Sequence, residues 1–407
     1  MALSGRYWGE LDILKIGIYG GTFNPPHIGH ISSAKEASEQ LGLDCLIVVP
    51  TGVPPHKTVP SGAPPAEMRM EMVQTAFNDC YNVIISDIEM RNDAPAYTID
   101  TINSIKVDYP GAQFFLLTGT DMFLTLQSWR DSEKLLNGIT PAVFSRDTDD
   151  LIAISDHSNR LRGLFGAETA IINNSVVDIS SSELREMLPR REGARYISDT
   201  TYAYIIKNRL YGAKPNWDWL RSKAHSMLDI ARIPHVDGCE EEALRLAERW
   251  GVDADDAREA AILHDITKKL SPDENMTILE EHDVPVGSLK KNEEKLLHSQ
   301  TGAILAKTEF GVSERVSDAI RWHTTGKACM TNLEKVIYLA DYIEPNRDFD
   351  GVDKLRVLAY DDLDKALIMG LEMSIADMNS RSIIPNRTTS DALAYLCYHM
   401  SGAWRKE

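Results

Sequence analysis

Apolar residues in the first half of the chain come in short, nearly unbroken runs: Ile13–Tyr19, Leu46–Pro50, Val83–Ser86, Gln113–Thr118, Ala142–Phe144 and Ala170–Ile172. Runs of this length, rich in Val, Ile, Leu and Phe, predict strands buried on both faces. Between them lie amphipathic stretches such as Ile31–Leu41, closed by Gly42, which predict helices. Strand–helix alternation of this kind makes a parallel sheet covered on both sides, an α/β domain. After about Trp217 the strand-like runs stop. Val236, Cys239, Ala243, Leu246 and Trp250 are spaced by three and four, so the second half reads as all-α. The segment Gly212-Ala213-Lys214-Pro215-Asn216 separates the two textures. The expected layout is a first domain over 1–213, a linker at 214–216 and a second domain over 217–407.

Composition narrows the functional classes. With 407 residues, 43% hydrophobic and 26% charged, the chain suits two globular domains and no disordered or fibrous class. A formal net charge of −18 argues against a nucleic-acid partner, whose phosphates need clustered Lys and Arg, but leaves room for a small nucleotide in a locally basic pocket. No apolar stretch is long enough for a membrane helix. The start, MALSGRYWGELD, lacks the basic-then-apolar order of a secretion signal. Five scattered cysteines without a CxxC pair fit reduced thiols and a cytoplasmic location. A homo-oligomer stays open.

The strongest chemistry in the first half is Gly17-Ile-Tyr-Gly-Gly-Thr-Phe-Asn-Pro-Pro-His-Ile-Gly-His30, directly after the first strand. It fits neither GxGxxG nor GxxxxGK[ST]. Gly20 and Gly21 are expected to make a tight turn and let a ligand approach the backbone. Pro25 and Pro26 hold the loop out of helix, so a helix starts near His27. His27 and His30 then stand one turn apart at a helix N-terminus, where free N–H groups attract anions. This wording resembles the (T/H)xGH nucleotidyltransferase superfamily and, within it, the bacterial nicotinate mononucleotide adenylyltransferases. Glu89-Met-Arg91, Ala96-Tyr-Thr-Ile-Asp-Thr101, Gly119-Thr-Asp121, Trp129-Arg130 and Ile179-Ser-Ser-Ser-Glu-Leu-Arg185 follow in that family's order, as does the segment from Pro50 to Lys57. The resemblance covers about residues 14–213. It implies a Rossmann-like fold, ATP and nicotinate mononucleotide as substrates, and Mg²⁺ brought with ATP. By the same resemblance, Gly20, Gly21, Thr22, Phe23, Lys57, Gly119, Asp121, Ser180 and Ser181 line the nucleotide site, with His27, His30 and Arg185 on the phosphates. Thr98 and Arg130 would offer backbone N–H groups to a pyridine carboxylate on which Trp129 stacks. Ala96 departs from the family's serine, and Ser145-Arg-Asp147 from its Arg-Pro-Gly turn.

The second half carries His235, the adjacent pair His264-Asp265, then His298, His323 and Asp341. His264 lies on the helical spacing of Ala257, Ala261 and Lys268, which places the pair on a helix, and the others continue apolar faces. Imidazoles and carboxylates buried toward one another need a cation. Nitrogen and oxygen ligands fit iron, manganese or zinc better than calcium, and iron is the expected metal. The ordered set resembles the two-metal HD-domain phosphohydrolases. Ile320-Arg-Trp-His-Thr-Thr-Gly326 and Leu333-Glu-Lys-Val-Ile-Tyr-Leu-Ala-Asp-Tyr-Ile-Glu-Pro-Asn-Arg347 resemble the HD-type symmetrical diadenosine-tetraphosphate hydrolases. That resemblance implies two metal ions bridged by Asp265 and diadenosine tetraphosphate cleaved to two ADP, and Lys268, one turn after His264, is placed to contact a phosphate. Another nucleotide pyrophosphate as substrate, or a metal-stabilised regulatory module, are the rival readings.

Overall fold

The computed structural model describes residues 13–52, 62–91, 95–145, 148–175, 177–284 and 296–401, with the backbone alone at 148 and 149. It divides into two compact units, one of residues 1–205 and 209–214, the other of 206–208 and 215–407. The short segment 206–208 groups with the second unit, and Lys214 with the first.

The first unit is built on six strands: β1 (Lys15–Gly21), β2 (Cys45–Pro50), β3 (Val83–Ile85), β4 (Gln113–Gly119), β5 (Thr140–Phe144) and β6 (Ala170–Ile172). All pairings are parallel, in the order β3-β2-β1-β4-β5-β6. Alternate residues feed two separate cores, as burial on both faces requires. Ile16, Ile18, Ile47, Val49, Leu116 and Val143 pack on one face with Ile102 and Leu135. Leu46, Val48, Phe115, Leu117 and Phe144 pack on the other with Ala34, Ala37 and Val73. The chain order reverses between β1 and β4, and ligands of open α/β sheets bind outside the strand ends at such a point.

β1 runs two residues further than its apolar run. Gly20 and Gly21 are paired to Val49 and Pro50, so they end the strand rather than form a turn. Neither has a positive φ; Phe23, at φ 45, makes the turn instead. A ladder uses only backbone groups, which is why the pairing outlasts the apolar side chains. The next helix is Ile28–Leu41, with His27 as N-cap and Gly42 closing it at φ 63.

The second unit contains no strand among the described residues. Its core gathers Leu246 and Ala247 from helix Ile233–Trp250, Ala257 and Leu263 from helix Ala254–Leu263, Val316 and Ile320 from helix Glu314–Trp322, and Leu339 from helix Asn332–Ile343. The His264-Asp265 pair is not inside a helix, contrary to the spacing of Ala257, Ala261 and Lys268. Helix Ala254–Leu263 stops just before it. Three-residue bonds from Ile266 N–H to Leu263 O, Lys268 N–H to Asp265 O and Leu270 N–H to Thr267 O tighten the chain into successive turns. His323 likewise caps the C-terminus of its helix. No described helix is long and apolar enough to cross a membrane.

Candidate active sites

At the end of β1 the loop is fixed from several sides. The His30 backbone N–H donates to His27 O at 2.9 Å. The His27 N–H donates to His30 Nδ1 at 3.2 Å, and the two rings stand 3.7 Å apart. Because Nδ1 of His30 accepts, its proton sits on Nε2, which is left to donate. Helix Ser181–Met187 closes the loop from the far edge of the sheet. Ser181 Oγ donates to Pro25 O at 2.8 Å, and Arg185 Nη1 to Asn24 O at 2.7 Å. Ser180 instead caps that helix, accepting from Glu183 N–H, with Glu183 returning the bond. A Cβ built on Gly20 meets nothing within 4 Å, as on Gly119 at the end of β4. Thr22 is exposed beside Gly20, whereas Phe23 is buried against Tyr19 and His30. Asp121 lies in the first turn of helix Thr120–Phe123, directly after β4.

Thr98 opens helix Thr98–Asp108, behind Tyr97 as N-cap. The Arg130 guanidinium lies 4.5 Å over the Tyr97 ring, and its Nη1 is 3.7 Å from Asp100. Trp129 is half-buried, held by Nε1–H to Thr125 Oγ1 at 3.1 Å. The Tyr97-Thr98 and Trp129-Arg130 segments therefore meet. Lys57 lies outside the described residues.

One residue the sequence reading passed over organises this rim. Buried Arg69 donates to the carbonyls of Thr22 at 3.1 Å, Thr51 at 2.6 Å and Gly52 at 3.0 Å. A single guanidinium so ties the loops after β1 and β2. No motif marks it, since its partners are backbone oxygens.

Burial lowers His27 to about 4, and burial together with His27 pulls His30 well below the ordinary value. Both are neutral at pH 7. Unfolded, each would protonate near 6.5, so the unfolded chain binds more protons and folding is opposed as pH falls from 6.5 toward 4. For His27 the loss at pH 5 is about 2 kcal/mol. Urea titrations at pH 7 and pH 5 should show wild type losing about that much more than His27→Gln. Equal losses would contradict it.

In the second unit the imidazoles converge. His235 lies in the first turn of helix Ile233–Trp250, His298 in the first turn of Leu297–Phe310, and Asp341 near the end of Asn332–Ile343. His264 Nδ1 is 2.7 Å from Ala261 O and His323 Nδ1 is 2.6 Å from Ile320 O. A carbonyl only accepts, so each Nδ1 carries a proton, and Nε2 is the atom the neutral ring would offer to a metal. His235 Nδ1 faces Glu344 Oε1 at 3.1 Å, which turns its Nε2 toward Asp341 Oδ1, also at 3.1 Å. His298 Nε2 and His323 Nε2 are 3.3 Å apart. Both face Asp265 Oδ1, at 3.2 and 3.6 Å. Asp265 Oδ1 and His264 Nε2 are buried without a hydrogen-bond partner. Two ligands on one tetrahedral ion stand about 3.3 Å apart, so these residues fit divalent metal. Burial opposes ionisation of Asp265, but the surrounding histidines hold its carboxyl well below the usual range.

The outer ring is equally specific. Glu344 accepts from Asn346 N–H at 2.7 Å as well as facing His235. A Cβ on Gly238 would meet Glu344 Oε2 at 2.5 Å. Arg232 Nε donates to Asp265 Oδ2 and Arg347 Nη2 to Asp341 Oδ1, each at 2.6 Å. Lys268 Nζ stands 3.0 Å from His298 Nε2 at the rim. Glu344 was discoverable as Asp341 plus three, one helical turn on. Gly238 and Arg232 carried no such signal.

The cytidylyltransferase-like family matches residues 18–187 and the HD domain family residues 232–346. A probable nicotinate-nucleotide adenylyltransferase of Exiguobacterium sibiricum is 35% identical over 196 residues, 48% of this chain and 96% of that protein. This chain belongs to that adenylyltransferase family and carries an HD domain. The symmetrical bis(5'-nucleosyl)-tetraphosphatase of Bacillus subtilis is 47% identical over 142 residues, 35% of this chain and 76% of that protein. The solved structure of a predicted HD superfamily hydrolase of Clostridium acetobutylicum is 36% identical, covers 45% of this chain and 97% of its own, and has a TM-score of 0.43.

Proposed function

We propose that the chain is a bifunctional enzyme, with adenylyl transfer in the domain over 1–213 and phosphohydrolysis in the domain over 217–407, joined at 214–216. The first domain joins nicotinate mononucleotide to ATP, giving nicotinate adenine dinucleotide and pyrophosphate. The observation carrying this is the meeting of His27, His30, Ser181 and Arg185 around one loop at the switch point of the sheet. The mononucleotide phosphate oxygen attacks the α-phosphorus of ATP, and the bond from that phosphorus to the bridging oxygen breaks as pyrophosphate leaves. His30 offers its Nε2–H to the phosphate oxygens while neutral, and the open face at Gly20 and Gly119 admits the nucleotide. Mg²⁺ accompanies ATP. Lys57 and Asp121 belong to the nucleotide side of the site by resemblance. No side chain forms a covalent bond, so the rate comes from positioning and charge.

Thr98 N–H at its helix start, with Arg130 and Trp129 alongside, suits a pyridine carboxylate. Nicotinate mononucleotide should therefore be used better than its amide by at least about tenfold, since a charge-assisted bond is worth about 1.4 kcal/mol more. Chromatography of competing reactions checks this; equal use would refute it.

The second domain hydrolyses diadenosine tetraphosphate to two ADP. The converging Nε2 atoms and the buried Asp265 Oδ1 that faces His298 and His323 support it. His235, His264 and Asp341 would hold one ion, His298 and His323 a second, with Asp265 between. Bound divalent metal supplies Lewis acidity toward phosphate and water. Lys268, with Arg232 and Arg347 near the same carboxylates, would bring positive charge to the phosphate chain. Nucleotide chromatography distinguishes symmetrical cleavage to two ADP from ATP plus AMP, and the latter would overturn the symmetrical assignment.

A further inference from the structure

Cys239 lies one turn after His235 on helix Ile233–Trp250, and its side chain faces the same cluster. Its Sγ is 3.4 Å from His235 Nε2. One ligand atom each from His235, Cys239, His264 and Asp341 falls within 4.8 Å of all the others. A nitrogen at about 2.0 Å and a sulfur at about 2.3 Å from a tetrahedral ion stand about 3.5 Å apart, which is the separation seen. A buried cysteine is ordinarily a small apolar filler. Cys239 is 1% exposed, yet it is absent from the core cluster around Leu246 and Leu263 that its own helix helps to build. Its polar neighbours are the two ring nitrogens of His235.

We propose that Cys239 is a thiolate ligand of the ion held by His235, His264 and Asp341. The inference rests on reading those three residues as ligands. On binding, the Sγ–H proton passes to solvent and an Sγ–metal bond replaces it, with no change of oxidation state. Sulfur beside two imidazoles and a carboxylate shifts preference from manganese toward zinc or ferrous iron. It also makes the two positions unequal. The first ion is enclosed by four side chains beside Asp265. The second has His298, His323 and Asp265 and keeps the open coordination that a phosphate substrate needs.

The test uses the full chain loaded with cobalt(II). Wild type should show a sulfur-to-cobalt charge-transfer band in the near ultraviolet, and Cys239→Ser and Cys239→Val should lose it. The other four cysteines remain as an internal control. In competition, the variants should lose at least about tenfold of the wild-type preference for zinc over manganese. Cobalt bound without that band, or a band persisting in both variants, overturns the proposal while leaving the histidine–carboxylate site standing. No cobalt bound to the folded wild type overturns both. The wild-type spectrum decides even if a variant fails to fold.

Discussion

Asp265→Ala is expected to end diadenosine tetraphosphate hydrolysis, by about 10³-fold or more, while dinucleotide synthesis stays near wild type. The loss corresponds to about 4 kcal/mol of transition-state stabilisation. Asp265 is fully buried and its two oxygens face His298, His323 and Arg232. Removing it takes away the group proposed to bridge both ions, so metal content should fall in parallel with activity. Arg232 is 28% exposed and can turn to solvent, which limits the damage to the fold. Adenylyl transfer is assigned to residues of the other unit. Both reactions, metal content and circular dichroism should be measured on the same preparation. Loss of both activities in a folded protein would refute independent sites.

The complementary change, His30→Ala, should lower dinucleotide synthesis by about 10²–10³, the usual cost of one well-placed donor on developing negative charge. Hydrolysis should be unaffected. The substitution also strips the partner from the His27 N–H, so His30→Asn, which can still accept there, separates the two roles. If His30→Asn retained near-normal turnover, phosphate stabilisation by the ring would be refuted and only a capping role would be left. Turnover of ATP with nicotinate mononucleotide is the measurement.

The sheet was legible because its central strands are buried on both faces and all six read as plain apolar runs, which is where they lie. Their ends were less legible. Gly20 and Gly21 extend β1 through backbone pairing that no side chain advertises. In the second unit the candidate metal ligands stood out as polar residues on apolar faces. The backbone at His264-Asp265 did not, because three-residue turns preserve nearly the same apolar spacing as a helix over so short a stretch. Cys239 was visible as part of a helix face and read as core. Only distances to His235 separate a ligand from a filler. Arg69 and Arg232 act through partners remote in sequence, so nothing local could reveal them.

Gly238 bears on how substitutions in this protein should be interpreted. Its helix carries His235 and Cys239 on one side, and Glu344 passes so close that a single methyl group would overlap its carboxylate. Alanine would favour the helix by about 1 kcal/mol, yet here it would press on the residue that turns the His235 Nε2 toward Asp341. Local helical preference and the needs of the site therefore pull this position in opposite directions. Stabilising replacements chosen from helix propensity alone would select a change that disturbs Glu344. Tolerance at position 238 is governed by a neighbour more than a hundred residues away in sequence.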